Sequence, residues 1–93
     1  MYRLQILTPE DIFFEGNIAS LVAPGAGGYL GILTNHAPLM TLLKEGILII
    51  TTGNKKQTFY KISNGFIHVK KNEVAILVDF IHSAPAVNWL SGI

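Results

Sequence analysis

Short apolar runs alternate with turn residues at close, regular intervals: Pro9, Gly16, Pro24-Gly25, Gly27-Gly28, Pro38, Gly46, Gly53-Asn54, Asn64-Gly65 and Asn72. Frequent turn signals between short apolar runs predict an all-β sandwich or barrel. From Tyr2 to Thr8 the pattern alternates, with Leu4 and Ile6 on one face and Arg3 and Gln5 on the other. Ile18 to Ala23 reads as a second strand. Gly28 to Leu33 and Leu39 to Leu43 flank a turn at Thr34-Asn35-His36-Ala37-Pro38. Ile47 to Thr52 and Thr58 to Ser63 form a hairpin through Gly53-Asn54-Lys55-Lys56, and Phe66 to Val69 and Glu73 to Phe80 form another through Lys70-Lys71-Asn72. No window before residue 83 carries a sustained helical period.

Two strands are apolar on both faces. Ile47, Leu48, Ile49 and Ile50 leave no polar side, and along Val74 to Val78 the second face is Ala75 and Leu77. A sandwich strand has one inner face, and its other face normally meets water. Each of these strands therefore needs a second cover, from the chain itself or from another protein, and contiguous exposed apolar patches mark partner sites. From Ser83 onward the pattern changes. Ser83 suits a helix cap and Pro85 a first turn, so a turn or two of helix is expected there, with Ala86, Val87, Trp89 and Leu90 needing an apolar surface to lie against.

The composition sharpens this picture. The chain has 93 residues, enough for one domain. Only 14% are charged while 49% are hydrophobic, against roughly 25% charged in an ordinary soluble domain. Disorder is excluded, because disordered chains are charge-rich and poor in apolar residues. The most apolar stretch, Gly46 to Ile50, is far short of a spanning helix. A net charge of +1 argues against nucleic acid as a partner. There is no cysteine, so disulfides and thiolate chemistry are excluded. Met1-Tyr2-Arg3-Leu4-Gln5 lacks the build of a secretory signal, and the expected setting is intracellular or the interior of an organelle.

The chain offers little catalytic chemistry. Gly25-Ala26-Gly27-Gly28-Tyr29-Leu30-Gly31 fails the dinucleotide pattern at Leu30, is followed by no Gly-Lys-Ser/Thr and leads into a strand, so a turn with glycines at positive φ is the expectation. His36, His68 and His82 share no ligand spacing; His68 and His82 read as solvated or edge histidines, and no metal or cofactor is expected. Glu10-Asp11 reads as turn solvation, and Lys55-Lys56 and Lys70-Lys71 as edge-protecting lysines at hairpin tips. No nucleophile elbow occurs. His36, displayed on a proline-fixed turn, suits recognition and structure equally.

Several blocks fall in one order: Leu7-Thr8-Pro9-Glu10, Phe14-Glu15-Gly16, Val22-Ala23-Pro24-Gly25, Gly28-Tyr29-Leu30-Gly31-Ile32-Leu33, Asn35-His36-Ala37-Pro38-Leu39, Lys44-Glu45-Gly46, Asn64-Gly65-Phe66-Ile67-His68-Val69 and Glu73-Val74-Ala75-Ile76-Leu77-Val78-Asp79. Their order resembles the N-terminal β-sandwich of the epsilon-subunit family of the F-type ATP synthase, over residues 2 to about 82. The resemblance implies an all-β, two-sheet antiparallel sandwich of about ten short strands over residues 1–82, with 83–93 as a short tail. It implies a subunit without an active site or cofactor, riding on the rotor and bound to the gamma subunit and the c-subunit ring. Such a subunit couples proton flow to ATP synthesis. Membrane association would come only through the complex, at the cytoplasmic face of a bacterial inner membrane or its organelle equivalent. By the same resemblance Gly28, Tyr29 and Leu30 face the ring, and His36 and Thr41 face gamma.

Two departures stand out. The family often has an acidic residue where Tyr29 stands and Pro-Gly where Thr34-Asn35 stand. It also commonly adds a pair of helices that inhibit ATP hydrolysis. At about 1.5 Å per helical residue, residues 83–93 would make an arm of roughly 16 Å, so arm-type inhibition is not expected; a sandwich-only subunit and a fragment both fit. The alternative reading is a free-standing β-sandwich module binding a ligand or a protein. A concave pocket with converging polar groups would favour that reading, and an apolar sheet face would favour the rotor subunit.

Overall fold

A computed structural model describes residues 1–85. Ten strands follow one another without a helix among the described residues: β1 (Tyr2–Leu7), β2 (Ile12–Ile18), β3 (Ser20–Gly25), β4 (Gly28–Ile32), β5 (Leu39–Leu43), β6 (Gly46–Thr51), β7 (Gln57–Ile62), β8 (Gly65–Lys70), β9 (Glu73–Val78) and β10 (Ile81–Ser83). The pairing runs β10-β7-β6-β3-β5-β8-β9-β1-β2, with β4 on the other edge of β3. One layer is therefore β10-β7-β6-β3-β4 and the other β5-β8-β9-β1-β2. They meet at a corner where Gly25 of β3 pairs with Leu43 of β5.

Gly25 is required at that corner. A Cβ there would stand 2.7 Å from the Gly28 carbonyl oxygen and 2.9 Å from Leu30 Cγ. Backbone bonds from Ala26 N to Leu42 O (3.0 Å) and from Lys44 N to Pro24 O (2.7 Å) extend the junction.

Alternation along each strand fills the space between the layers. Leu4 and Ile6, Leu21 and Ala23, Leu48 and Ile50, Ile67 and Val69, and Val74, Ile76 and Val78 form one buried cluster with Tyr2, Ile18, Ile32, Leu43 and Ile62. At about 25 cal/mol per Å² of apolar surface, this burial is the dominant stabilising contribution. The single polar group carried into it is the Tyr2 hydroxyl, which donates to the Ile32 carbonyl at 2.6 Å and so ties β1 to β4 across the layers. Ser63 is the one buried polar residue among the described ones. Its Oγ donates to Asn64 O at 3.0 Å and accepts from the N–H groups of Asp79 (2.8 Å) and Phe80 (3.2 Å), pinning the turn before β8 to the turn after β9.

The structure corrects the sequence reading at several points. The pairing is not wholly antiparallel, because β1 runs parallel to β9 with Arg3 opposite Glu73 and Leu7 opposite Leu77. Strand β2 was not expected. Ser83, expected to cap a helix, ends β10 opposite Tyr60, and Ala84 N donates to Phe59 O at 3.0 Å, so extended pairing wins over the cap. The helical turn expected beyond it involves residues 86–93, outside the described residues. His68 is half-buried in β8, flanked by β5 and β9, and is no edge residue. In the glycine cluster only Gly28 has positive φ, at 135°. The other left-handed positions among the described residues are Asn35, Lys55 and Asn72, each in a turn.

Candidate functional site

The two layers treat their outer faces differently. In the β3-side layer, Ile49 of β6 points away from the core, opposite Phe59 of β7 and Val22 of β3. It is nonetheless only 7% exposed within the chain itself. The cover needed for the doubly apolar run Ile47 to Ile50 is thus intramolecular at that position.

The other layer is open. Its outward residues fall into register across the strands: Leu42 of β5 opposite Phe66 of β8, Phe66 opposite Leu77 of β9, Leu77 opposite Leu7 of β1, and Leu7 opposite Ile12 of β2. The next row holds Met40, His68, Ala75 and Gln5. Leu42 and Phe66 are each 53% exposed, Leu77 45% and Met40 66%. Scattered apolar side chains are ordinary on a surface, but a continuous cross-strand row is a patch. With strands about 4.8 Å apart, the row spans roughly 19 Å. At the end where β5, β9 and β1 finish, the patch deepens into a groove of about 680 Å³.

Why the sequence builds this face follows from β-strand geometry. Side chains alternate, so the core residues Leu43, Ile67, Ile76 and Ile6 force their neighbours outward. In this layer one row of those neighbours, Leu42, Phe66, Leu77 and Leu7, is apolar as well. The only salt bridge among the described residues, Arg3 to Glu15, lies on β1 and β2 at the far side of the layer.

The residues expected to face the ring and gamma are separated by the fold. Gly28, Tyr29 and Leu30 open β4 beside the corner. Leu30 packs against the core, leaving Tyr29 as the exposed side chain of the three, at 51%. Tyr29 belongs to the glycine cluster read as a turn, but it lies in β4. Its hydroxyl accepts from Ile47 N at 3.3 Å. The approach runs over Gly46, where a Cβ would stand 3.2 Å from the same oxygen and 2.9 Å from Pro24 Cβ.

His36 follows β4 at the opposite end, in the turn closed by His36 N donating to Leu33 O at 3.1 Å. It is half-buried, and its Nδ1 lies 2.6 Å from Ala37 O, so Nδ1 carries the proton of that bond. Thr41 lies on the inward side of β5, half-buried opposite Ile67. The outward side of that strand belongs to Met40 and Leu42, which the sequence reading did not single out. The doubly apolar signal that exposed Leu77 was present in β9, but Leu42 and Phe66 are recognisable only once the register is known.

Among the described residues no group of three or more His, Asp or Glu side chains could hold a metal ion. The phenol of Tyr2 is pushed well above its ordinary range by burial, but it belongs to the core and not to a cleft.

Comparison with known proteins agrees with this architecture. The family described as "ATP synthase, Delta/Epsilon chain, beta-sandwich domain" matches residues 1–84. An ATP synthase epsilon chain of Desulforamulus reducens is 44% identical over 88 residues, covering 92% of this chain and 64% of its own length. One from Leptospira borgpetersenii is 45% identical over 77 residues, covering 83% and 60%. One from Chlorobium limicola is 35% identical over 78 residues, covering 84% of this chain and 89% of its own length. The chain thus spans less than two thirds of the first two relatives and most of the third. Among solved structures, a chain of the Euglena gracilis mitochondrial ATP synthase (OSCP, F1 and c-ring) superposes with TM-score 0.83 at 22% identity, covering 96% of this chain and 58% of that one. At that identity the likeness speaks for the fold. On its sequence match over residues 1–84, and with the sandwich to go with it, the chain belongs to the ATP synthase delta/epsilon chain family through that family's β-sandwich domain.

Proposed function

We propose that this chain is a non-catalytic central-stalk subunit of a proton-translocating F-type ATP synthase. In this reading it binds the gamma subunit and the c-subunit ring, and couples proton flow to ATP synthesis by holding the two together as one rotor. The observation that carries the reading is the open apolar row Leu42–Phe66–Leu77–Leu7 on a sandwich of this family. A stable interface buries about 800 Å² per partner, so the row, roughly 19 Å across five strands with Ile12 included, would form its apolar centre rather than the whole of it. We assign the row to gamma, with His36 and Thr41 at the far end and on the inward side of the same sheet's edge strand β5. The Tyr29 end is assigned to the ring, where a tyrosine supplies apolar area with a polar tip. The subunit would lie at the membrane surface through the complex alone, on the side where the catalytic head stands.

The test is capture from solubilised membranes of the source cell with the tagged chain. Recovery of gamma together with the ring subunit is the expected result. A Phe66→Glu variant, which places a charge in the middle of the row, should lose gamma while keeping its fold. Recovery of neither subunit by the unmodified chain would refute the reading.

A further inference from the structure

The groove at the end of the apolar row is more than a continuation of it. Leu7 and Pro9 wall one side and Leu42 the other, and Phe66 and Leu77 are its floor. Asp79, just past the end of β9, is the only charged residue among those lining it. Its backbone N–H is held by Ser63 Oγ at 2.8 Å, which fixes the main chain of Asp79 at the rim. Among the described residues that carboxylate has no ion-pair partner.

A cavity of about 680 Å³ lies within the usual range of binding pockets, about 300–1,000 Å³. It opens directly onto the flat row, so an occupant that covers the row must also fill it. That requirement fits a folded protein surface with a projecting side chain rather than a free small molecule. Shape calls for a large aliphatic or aromatic residue, and charge complementarity with Asp79 calls for Arg or Lys beside it.

Resting on the gamma assignment above, we propose that this groove is the anchor point of the interface. It receives from gamma a large apolar side chain flanked by a basic residue that pairs with Asp79. Phe66 and Leu77 then supply the desolvated centre, and Asp79 supplies steering and register at the rim.

The experiment measures binding of the purified chain to its cognate gamma subunit by surface plasmon resonance at 50 mM and 300 mM salt. Wild type should bind, more weakly at high salt. Phe66→Ala should raise Kd about 30-fold, the scale of a centre-of-interface residue. Asp79→Asn should slow association several-fold at low salt and flatten the salt dependence, as expected of a rim charge. Circular dichroism melting shows whether each variant is folded. Leu77→Ala replaces Phe66→Ala if the latter is not. Failure of wild type to bind gamma refutes the assignment of the face. Binding by wild type that is unchanged in the apolar variant, or equally salt-sensitive in Asp79→Asn, refutes the groove while leaving the assignment standing. Binding to the isolated ring but not to gamma, lost in the same variants, overturns the occupant.

Discussion

Replacing Gly65 with alanine should unfold this domain at a far lower temperature, for a reason measurable in the backbone. Gly65 opens β8 and is paired on both sides, with Leu43 of β5 and Val78 of β9. A methyl group there would fall inside the envelope of the Leu77 carbonyl oxygen, 3.0 Å from the Leu77 carbonyl carbon and 3.0 Å from Val78 Cγ1. Backbone cannot swing aside as a long side chain can. Relief requires β8 and β9 to part at that point, or β8 to rotate. Overpacking a well-filled site costs about 1–3 kcal/mol, and giving up a ladder hydrogen bond about another 1 kcal/mol. A total near 3 kcal/mol lowers the melting temperature of a domain this size by about 12–24 °C. The control is Gly27→Ala, where a Cβ meets nothing within 4 Å and the change should stay within about 0.5 kcal/mol. Thermal melts of both variants by circular dichroism decide the matter. A Gly65→Ala melt within 3 °C or so of wild type would refute the reasoning, because it would mean the paired strands yield at negligible cost.

Tyr2→Phe removes the buried hydroxyl that donates to the Ile32 carbonyl, which should cost about 0.5–1.5 kcal/mol in urea denaturation. Burial raises the Tyr2 phenol above its unfolded value, so its contribution is present below about pH 10 and is lost as pH rises toward the folded value; the alkaline fall in stability should be shallower in Tyr2→Phe. Ser63→Ala strips the acceptor from Asp79 N and Phe80 N; a loss of about 1–3 kcal/mol and faster amide exchange at those two positions are expected, and unchanged exchange would contradict it. Tyr29→Ala, at a side chain 51% exposed and outside the core cluster, should cost on the order of 1 kcal/mol and leave the melting temperature within about 8 °C of wild type, while weakening capture of the ring; a larger fall would place Tyr29 in the stability of the corner.

Much of this fold was legible because turns are written in local chemistry. The hairpin at residues 53–56 has Lys55 at φ 66°, with Asn54 Oδ1 accepting from Lys56 N, and its glycine and asparagine announced it. Strand β2 was not legible. Gly16 read as punctuation, yet it pairs with Leu4, where its missing side chain leaves ordinary space beside Phe14. Nor was β10, only three residues long, paired with β7 and carrying the turn-like Ser83. The parallel pairing of β1 with β9 joins residues 70 positions apart, as Arg3 and Glu73 show, and no local pattern encodes such a partner. For the candidate site, the sequence revealed that some strand needed a second cover. It could not say that Ile49 has one and Leu77 does not, because that depends on which layers and loops meet.

The same long-range pairing bears on how the chain is made. Strand β1 is sandwiched between β2, which follows it directly, and β9, which emerges 70 residues later. At about 5–20 residues per second, a ribosome needs roughly 4–14 s to deliver that partner. During this interval the β1–β2 hairpin can form and β3, β4, β6 and β7 of the opposing layer are delivered, but the edge of β1 that pairs with β9 stays open. Folding of this domain is therefore a late event in translation, completed only when its ninth strand closes against its first.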